Sequence, residues 1–159
     1  YQEIFRSYAL NEALITLSLP GRVFDVSLTI EDKPELAYRC DGLIISTPTG
    51  STAHSLSAGG PILEPTLAAL VITPLSPHSL FNRPLVIDGE RELSVHFQED
   101  AKQMELILDG QVNFKLEAAD HVFIKRSQTK IQTIVTGKKA FTHTLRQKFN
   151  LGQQTSNRS

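Results

Sequence analysis

The strongest constraint on the fold of this chain is a succession of short segments in which apolar and polar residues alternate. In the segment Phe24–Ile30 every second residue is apolar, and the residues between them are acidic or carry a hydroxyl. Successive side chains of a β-strand point to opposite faces, so this spacing predicts a strand with one face in the core and the other towards water. Further runs, alternating or continuously apolar, occupy residues 13–19, 36–40, 43–45, 71–73, 85–87, 93–97, 104–108, 112–116, 122–125 and 131–135.

Residues typical of turns separate these runs. Pro20-Gly21 follows the first run, and residues 31–34 separate two alternating segments. Asp109-Gly110, between two further runs, is the sequence signal for a two-residue hairpin. Many short strands with little helix predict an all-β fold, a sandwich of packed, coiled antiparallel sheets with short helices.

Three short helices and one irregular segment complete the prediction. Residues 66–70 follow a proline, which is favoured in the first turn of a helix. Residues 53–58 form a second candidate, with Ser51 or Thr52 as its N-cap. Residues 74–84 are predicted to be irregular. Near the C terminus, one apolar helical stripe at a spacing of four residues consists of Phe141, Leu145 and Phe149.

Composition limits the class of protein. With 159 residues, 40% of them hydrophobic, the chain can bury one sizeable core. Sixteen Lys and Arg against seventeen Asp and Glu give a net charge of −1, which predicts no nucleic-acid partner. The single cysteine, Cys40, is consistent with a reducing cytoplasm, and no segment is long and apolar enough for a membrane span. We therefore expect a cytoplasmic location and no membrane partner.

The stretch from Asp41 to Pro61 has a different composition. After the apolar residues 43–45 it carries six hydroxyl side chains in eleven positions, together with three glycines. Neutral donors and acceptors at this density suit a ligand with many hydroxyls and amides, whereas composition alone favours a surface loop that caps a helix. Residues 50–54 lack the lysine of a phosphate-binding P-loop and the second glycine of a nucleophile elbow.

As a whole string, this stretch resembles the signature of the NAD kinase family. It reads Asp-Gly, then Ser-Thr-Pro-Thr-Gly-Ser-Thr-Ala, then Ser-Leu-Ser-Ala-Gly-Gly-Pro. Other segments resemble that family in order and spacing, so that the resemblance runs from residue 9 to about 126: Asn11-Glu12, Pro77-His78-Ser79-Leu80, Arg83-Pro84-Leu85-Val86-Ile87 and Asp109-Gly110-Gln111.

The resemblance implies the second, NAD-binding domain of a two-domain protein of the NAD kinase/diacylglycerol kinase-like class. Such enzymes phosphorylate the 2′-hydroxyl of the adenosine ribose of NAD, with ATP or polyphosphate, to give NADP. The family's first domain carries a Gly-Gly-Asp-Gly motif whose aspartate is regarded as the catalytic base, and this sequence does not contain it. We therefore expect a piece of a longer protein that has no catalytic residue and no kinase activity by itself.

The resemblance also implies a domain plan and partners. Residues 1–139 would form the β-sandwich, residues 140–150 a helix packing on the first domain, and residues 151–159 a disordered polar tail. Mg²⁺ would enter with ATP, held by its phosphates. The family forms homodimers and homotetramers in which a neighbouring subunit often completes the site. Two alternatives remain open, the corresponding domain of a diacylglycerol or sphingoid lipid kinase and a non-catalytic β-sandwich interaction module.

By family resemblance, Asn11 would bind the adenine or its ribose and Glu12 the ribose hydroxyls. Arg39 would lie near ribose or phosphate, and Asp41 at the nicotinamide end. By their residue types alone, the first pair would cap local backbone and the second would form a solvated ion pair. The substrate-binding residues predicted in this way are Asn11, Glu12, Arg22, Arg39, Asp41, Thr52, Ala53, His54, Ser55, Leu56, Ser57, Asp109 and Gln111.

His54 departs from the family, in which this position is usually tyrosine. The imidazole keeps a planar surface for stacking but lacks the phenol. A histidine also changes charge near neutral pH, which tyrosine does not, so we expect a pH-dependent affinity for the dinucleotide.

Overall fold

The computed structural model describes residues 2–18, 22–31, 36–98, 103–134 and 140–151. The chain divides into two units, residues 1–128 and residues 129–159. The described residues of the first unit contain ten strands: β1 Glu12–Leu17, β2 Phe24–Ile30, β3 Leu36–Cys40, β4 Gly42–Ser46, β5 Ala69–Leu75, β6 Leu85–Asp88, β7 Leu93–Phe97, β8 Met104–Leu108, β9 Val112–Leu116 and β10 Val122–Ile124.

The strands pair into two antiparallel sheets. Six strands form one sheet in the order β6-β5-β4-β1-β8-β9, and four form the other in the order β10-β7-β2-β3. One core cluster contains buried residues from both sheets, among them Ile15 and Leu43 of the first and Leu28 and Val95 of the second. The predicted all-β class of packed antiparallel sheets is therefore confirmed.

The segment after β4 covers the part of the other face of the six-stranded sheet that β4 and β5 form. A 3₁₀ turn at Gly50–Thr52 leads into helix α1, His54–Ser57, which packs against β4. All five residues of β4 are consequently buried, whereas a strand with one wet face would expose every second residue.

Several predictions of local structure were wrong. Residues 66–70 are not a helix, because β5 begins at Ala69 and pairs with β4 on one side and β6 on the other. Residues 131–134 form no strand, and Ile131 and Ile134 are 66% and 97% exposed. Helix α1 has Ala53 at its N-cap position and no side-chain cap, so neither Ser51 nor Thr52 serves as one. The predicted turns at 20–21 and 32–34, residue 135 and the tail at 152–159 lie outside the described residues.

Other predictions of local structure were correct. The hairpin between β8 and β9 exists, with Asp109 and Gly110 at φ of 50° and 66° and a hydrogen bond from the Gln111 amide to the Leu108 carbonyl. In the second unit, helix α2 spans Phe141–Phe149, as its apolar stripe predicts. The proposed boundary at residues 139–140 and the packing of α2 on another domain stay predictions. No helix in the described part of the chain is long and apolar enough to cross a membrane.

Candidate functional site

One end of the six-stranded sheet gathers three segments that are distant in the sequence. Glu12, at the start of β1, pairs with Ser46, at the end of β4. On the other side of β1, Ala13 pairs with Leu108, the last residue of β8 before its turn. The Asn11-Glu12 pair, the loop after β4 and Asp109 therefore meet at this end, which we call the loop end of the sheet.

The loop after β4 is fastened to the backbone before β1. The Thr47 amide donates to the Asn11 carbonyl at 2.9 Å, and the Thr47 hydroxyl donates to the Leu10 carbonyl at 2.7 Å. A Cβ at Gly50 would lie 2.0 Å from the Asn11 carbonyl oxygen. Glycine at this position lets the two backbones touch, so the loop and the Asn11-Glu12 pair form one unit.

Two serines of the loop are used for internal structure. The Ser51 hydroxyl donates to the Pro48 carbonyl at 2.6 Å and accepts the Leu63 amide at 2.9 Å. The Ser55 hydroxyl is buried and lies 2.9 Å from that of Thr73 on β5. Ser55 was predicted to bind substrate, but its hydroxyl is engaged inside the protein.

The remaining predicted loop residues are accessible to different degrees. Thr52, Ala53 and Leu56 are half-buried, whereas His54 and Ser57 are exposed. The Thr52 hydroxyl donates to the Thr49 carbonyl at 3.3 Å, a long bond on the surface. The accessible part of the loop therefore offers a ring, hydroxyls and small apolar groups to a ligand.

Glu12 is the chemically unusual residue of the loop end. The residue is only 8% exposed, and its Oε2 has no hydrogen-bond partner among the residues that the structure describes. Burial raises the pKa of the Glu12 carboxyl, and the nearby Asp109 carboxylate raises it further, whereas the ring charge and backbone amide of His54 lower it. A buried carboxylate oxygen without a partner is costly, which makes it a ready acceptor for O–H donors of a ligand.

Asp109 lies beside this carboxylate and was predicted to bind substrate. Its Oδ2 accepts the Leu10 amide at 2.7 Å, and its Oδ1 accepts the amides of Asn11 and Glu12 at 2.7 and 3.1 Å. Both oxygens are therefore engaged with backbone. Gln111, two residues later, is exposed.

Asp41 lies at the opposite end of the six-stranded sheet, and Arg39 lies two residues before it on β3 of the other sheet. Asp41 precedes Gly42, which pairs with Thr16, four residues along β1 from Glu12. At about 3.3 Å per residue this places Asp41 roughly 13 Å or more from the loop end. The Asp41 amide donates to the Leu75 carbonyl at 3.0 Å, and its carbonyl accepts the Thr16 hydroxyl at 2.9 Å. Within one chain, the structure does not bring these residues to Glu12.

A shallow cavity of about 410 Å³ surrounds Arg39. The Arg39 guanidinium lies 3.9 Å from the Asp25 carboxylate, and both side chains are exposed to solvent. Arg22, also predicted to bind substrate, is exposed in the segment before β2. The cavity is lined by Asp25, Ala37, Tyr38, Arg39, His78, Ser79 and Asn82.

Sequence reasoning missed three residues of the loop end. Thr47 and Gly50 were read as part of the motif, but their contacts with Leu10 and Asn11 depend on sheet pairing. Ser46 lies directly opposite Glu12, and its Oγ is likewise buried without a hydrogen-bond partner in the described part of the chain. Only the strand register could have revealed that neighbour. The described residues contain no group of three His, Cys, Asp or Glu side chains that could hold a metal ion.

The chain is similar in sequence to NAD kinases. NAD kinase of Pasteurella multocida is 46% identical over 132 residues, which are 82% of this chain and 43% of that protein. NAD kinase of Geotalea daltonii is 38% identical over 152 residues, 96% of this chain and 54% of that protein. The chain thus spans about half the length of these relatives.

Two solved structures share the fold. An NAD kinase from Archaeoglobus fulgidus in complex with ATP has a TM-score of 0.68 at 32% identity, over 76% of this chain and 46% of that chain. Yeast NADH kinase complexed with NADH has a TM-score of 0.80 over 95% of this chain and 46% of that chain, and at 20% identity it speaks for the fold alone. The family model described as the ATP-NAD kinase C-terminal domain matches residues 10–136. With most of its length inside that match, the chain belongs to the family of ATP-NAD kinase C-terminal domains.

Proposed function

We propose that this chain is the NAD-binding domain of an NAD kinase. The enzyme transfers the γ-phosphoryl group of ATP to the 2′-hydroxyl of the adenosine ribose of NAD, which gives NADP, ADP and a proton. The observation that carries the proposal is the buried Glu12 carboxylate, whose Oε2 has no partner among the described residues, at the edge of the loop that carries the family signature. Family membership and an ATP-bound relative support it.

Glu12 is suited to bind ribose. Its carboxylate accepts O–H donors, and such bonds favour the ionised form, which offsets the burial that raises the pKa of this group. Hydrogen bonds to a charged group contribute about 1.5–3 kcal/mol each. Asn11 precedes it with an amide side chain for the adenine, and the exposed ring of His54 offers a stacking surface.

The contribution of this domain to the reaction is positioning. Binding that holds the ribose in a fixed orientation lowers the entropic part of the activation free energy. We assign the base that takes the proton from the 2′-hydroxyl to the Gly-Gly-Asp-Gly aspartate of the family's first domain, which this sequence does not contain. Mg²⁺ is assigned to the phosphates of ATP, its usual ligands in kinases. We place the enzyme in the cytoplasm.

Arg39 and Asp41 are assigned to the site of a neighbouring copy. Asp41 lies at the opposite end of the six-stranded sheet from Glu12, as the register of β1 and β4 requires, and Arg39 precedes it on β3. The cavity around Arg39 brings a guanidinium, a carboxylate and an imidazole together on one surface. A homodimer or homotetramer would let this surface contact the nicotinamide half of a dinucleotide bound at the loop end of another subunit.

Titration calorimetry tests the proposal. NAD should bind the purified chain, while diacylglycerol micelles and a buffer control should give no specific heat. Glu12→Gln should weaken NAD binding at least tenfold, which corresponds to about 1.4 kcal/mol. Glu64→Gln, a matched change at an exposed position of the same loop, should leave it unchanged. Lipid binding without NAD binding would favour a lipid kinase domain, and binding of neither would favour an interaction module.

A further inference from the structure

The Asp109 carboxylate joins two parts of the chain that are almost one hundred residues apart. The three amides that it accepts belong to consecutive residues, Leu10 to Glu12, and the Asp109 amide in turn donates to the Glu12 carbonyl at 3.1 Å. These four hydrogen bonds span the segment from which the side chains of Asn11 and Glu12 project.

The bonds are needed because the main chain of β8 leaves the sheet here. Regular pairing between β1 and β8 ends at Ala13 and Leu108, and the positive φ of Asp109 then turns the chain into the hairpin. No backbone carbonyl of β8 continues beside Leu10 and Asn11, so the carboxylate takes the place of a neighbouring strand. The contact of the Leu10 amide lies at the surface and those of the Asn11 and Glu12 amides are partly buried, and one carboxylate satisfies all three.

We propose that Asp109 is a positioning residue of the substrate site, which fixes the backbone of Leu10 to Glu12 and thereby the Glu12 carboxylate without contacting the ligand itself. The inference rests on the proposed function, in which Glu12 binds the ribose. It gives Asp109 a role other than the direct substrate contact that the family resemblance implies, because both of its oxygens are occupied by amides.

Asp109 also affects the charge of Glu12. Two groups outside β1 act on this carboxyl, Asp109 from the β8–β9 turn and His54 from α1. Asp109 raises the pKa of Glu12 and His54 lowers it. Removing the Asp109 charge should therefore favour ionised Glu12 while releasing the backbone that aims it. A purely electrostatic role would make NAD binding stronger when the Asp109 charge is removed, whereas a positioning role would make it weaker.

Asp109→Asn is the informative variant. The asparagine keeps the size of the side chain but replaces one acceptor oxygen with an NH₂ group, which cannot accept an amide proton. Asp120→Asn is the matched control, because Asp120 accepts the Glu117 amide at 2.8 Å in the turn between β9 and β10, outside the predicted site. Three measurements are compared with wild type: NAD affinity by calorimetry, hydrogen exchange of the amides of residues 10–12, and the pKa of the Glu12 carboxyl by ¹³C NMR.

For Asp109→Asn we expect NAD affinity to fall about tenfold or more, which corresponds to the free energy of at least one lost hydrogen bond. The amides of residues 10–12 should exchange faster, and the pKa of Glu12 should fall. Asp120→Asn should change none of the three.

The proposal is overturned if Asp109→Asn binds NAD as wild type does, or if amide exchange and the Glu12 pKa stay unchanged while only global stability falls. Failure of the wild-type chain to bind NAD would count against the proposed function instead. The two NMR measurements use no ligand, so they decide whether Asp109 holds Glu12 in that case too.

Discussion

Gly50→Ala tests whether the close contact between the loop and the Asn11 backbone holds the site together. A Cβ at Gly50 would lie 2.0 Å from the Asn11 carbonyl oxygen and 2.4 Å from its carbon, while real Cβ atoms essentially never come closer than 3.0 Å. The loop must therefore retreat by about 1 Å, since neither partner is the end of a flexible side chain. Such a shift stretches the Thr47–Asn11 hydrogen bond from 2.9 Å to about 3.9 Å, beyond hydrogen-bonding range.

The expected cost follows from these contacts. Overpacking of this kind costs about 1–3 kcal/mol. The two hydrogen bonds from Thr47 contribute about 1 kcal/mol each, so the free energy of unfolding should fall by about 3–5 kcal/mol. Urea unfolding followed by circular dichroism measures this change, because the chain has no tryptophan. NAD affinity of the folded protein should fall as well, since the loop and Glu12 no longer keep their spacing.

Gly59→Ala is the matched control. No atom lies within 4 Å of a Cβ at Gly59, but its φ of +84° strains any residue with a side chain. That variant should lose about 1–2 kcal/mol of stability and keep its NAD affinity. If Gly50→Ala is no less stable than Gly59→Ala and binds NAD normally, the contact does not organise the site and the reasoning is refuted.

Three further substitutions test the site. Glu12→Gln should raise the melting temperature at pH 7.5. Folding raises the pKa of the Glu12 carboxyl, so the wild-type protein loses stability as the pH rises through that pKa, and glutamine does not ionise. The gain should vanish below about pH 4, and equal shifts at both pH values would contradict this account. His54→Tyr removes a ring charge that lowers the pKa of Glu12, so this carboxylate should become protonated at a higher pH. As the pH is lowered, NAD binding measured by calorimetry should therefore weaken at a higher pH than in wild type. An unchanged pH profile would place His54 outside the site. Asp41→Asn should weaken NAD binding in the assembled enzyme about ten- to a hundredfold while the melting temperature hardly moves, and unfolding with normal binding by the folded fraction would make Asp41 a structural residue.

The sequence predicted most strands correctly because their signal is local. In β2 each alternating apolar residue from Phe24 to Leu28 is buried, and the hairpin turn at Asp109-Gly110 has the positive φ angles that its residues favour. The predicted helix at 66–70 failed for the opposite reason. Those residues are compatible with either structure, and β5 forms there because β4 and β6 provide hydrogen-bond partners on both sides. Residues 131–134, with apolar side chains at Ile131 and Ile134, pair with no strand in the described part of the chain and form none.

Family membership was also within reach of the sequence, since the signature from Asp41 to Pro61 is contiguous and its order can be read directly. The roles of its hydroxyl groups could not be predicted from the sequence, because the sequence does not distinguish Ser55 from Thr52. In the structure the Ser55 hydroxyl is buried against β5, whereas Thr52 lies near the surface. The predicted ligand contacts themselves stay predictions.

The sequence by itself determined most of the strand-forming segments, the all-β class and the family, because alternation and a contiguous motif are properties of neighbouring residues. Only the tertiary structure decided that Glu12 is buried with an oxygen that has no partner among the described residues, that Asp109 binds the backbone of residues 10–12, and that Asp41 lies at the far end of the sheet. Each of these depends on which strands pair and in what register. Pairing joins residues up to about one hundred positions apart, so it is fixed by the packing of the whole core and not by any local pattern.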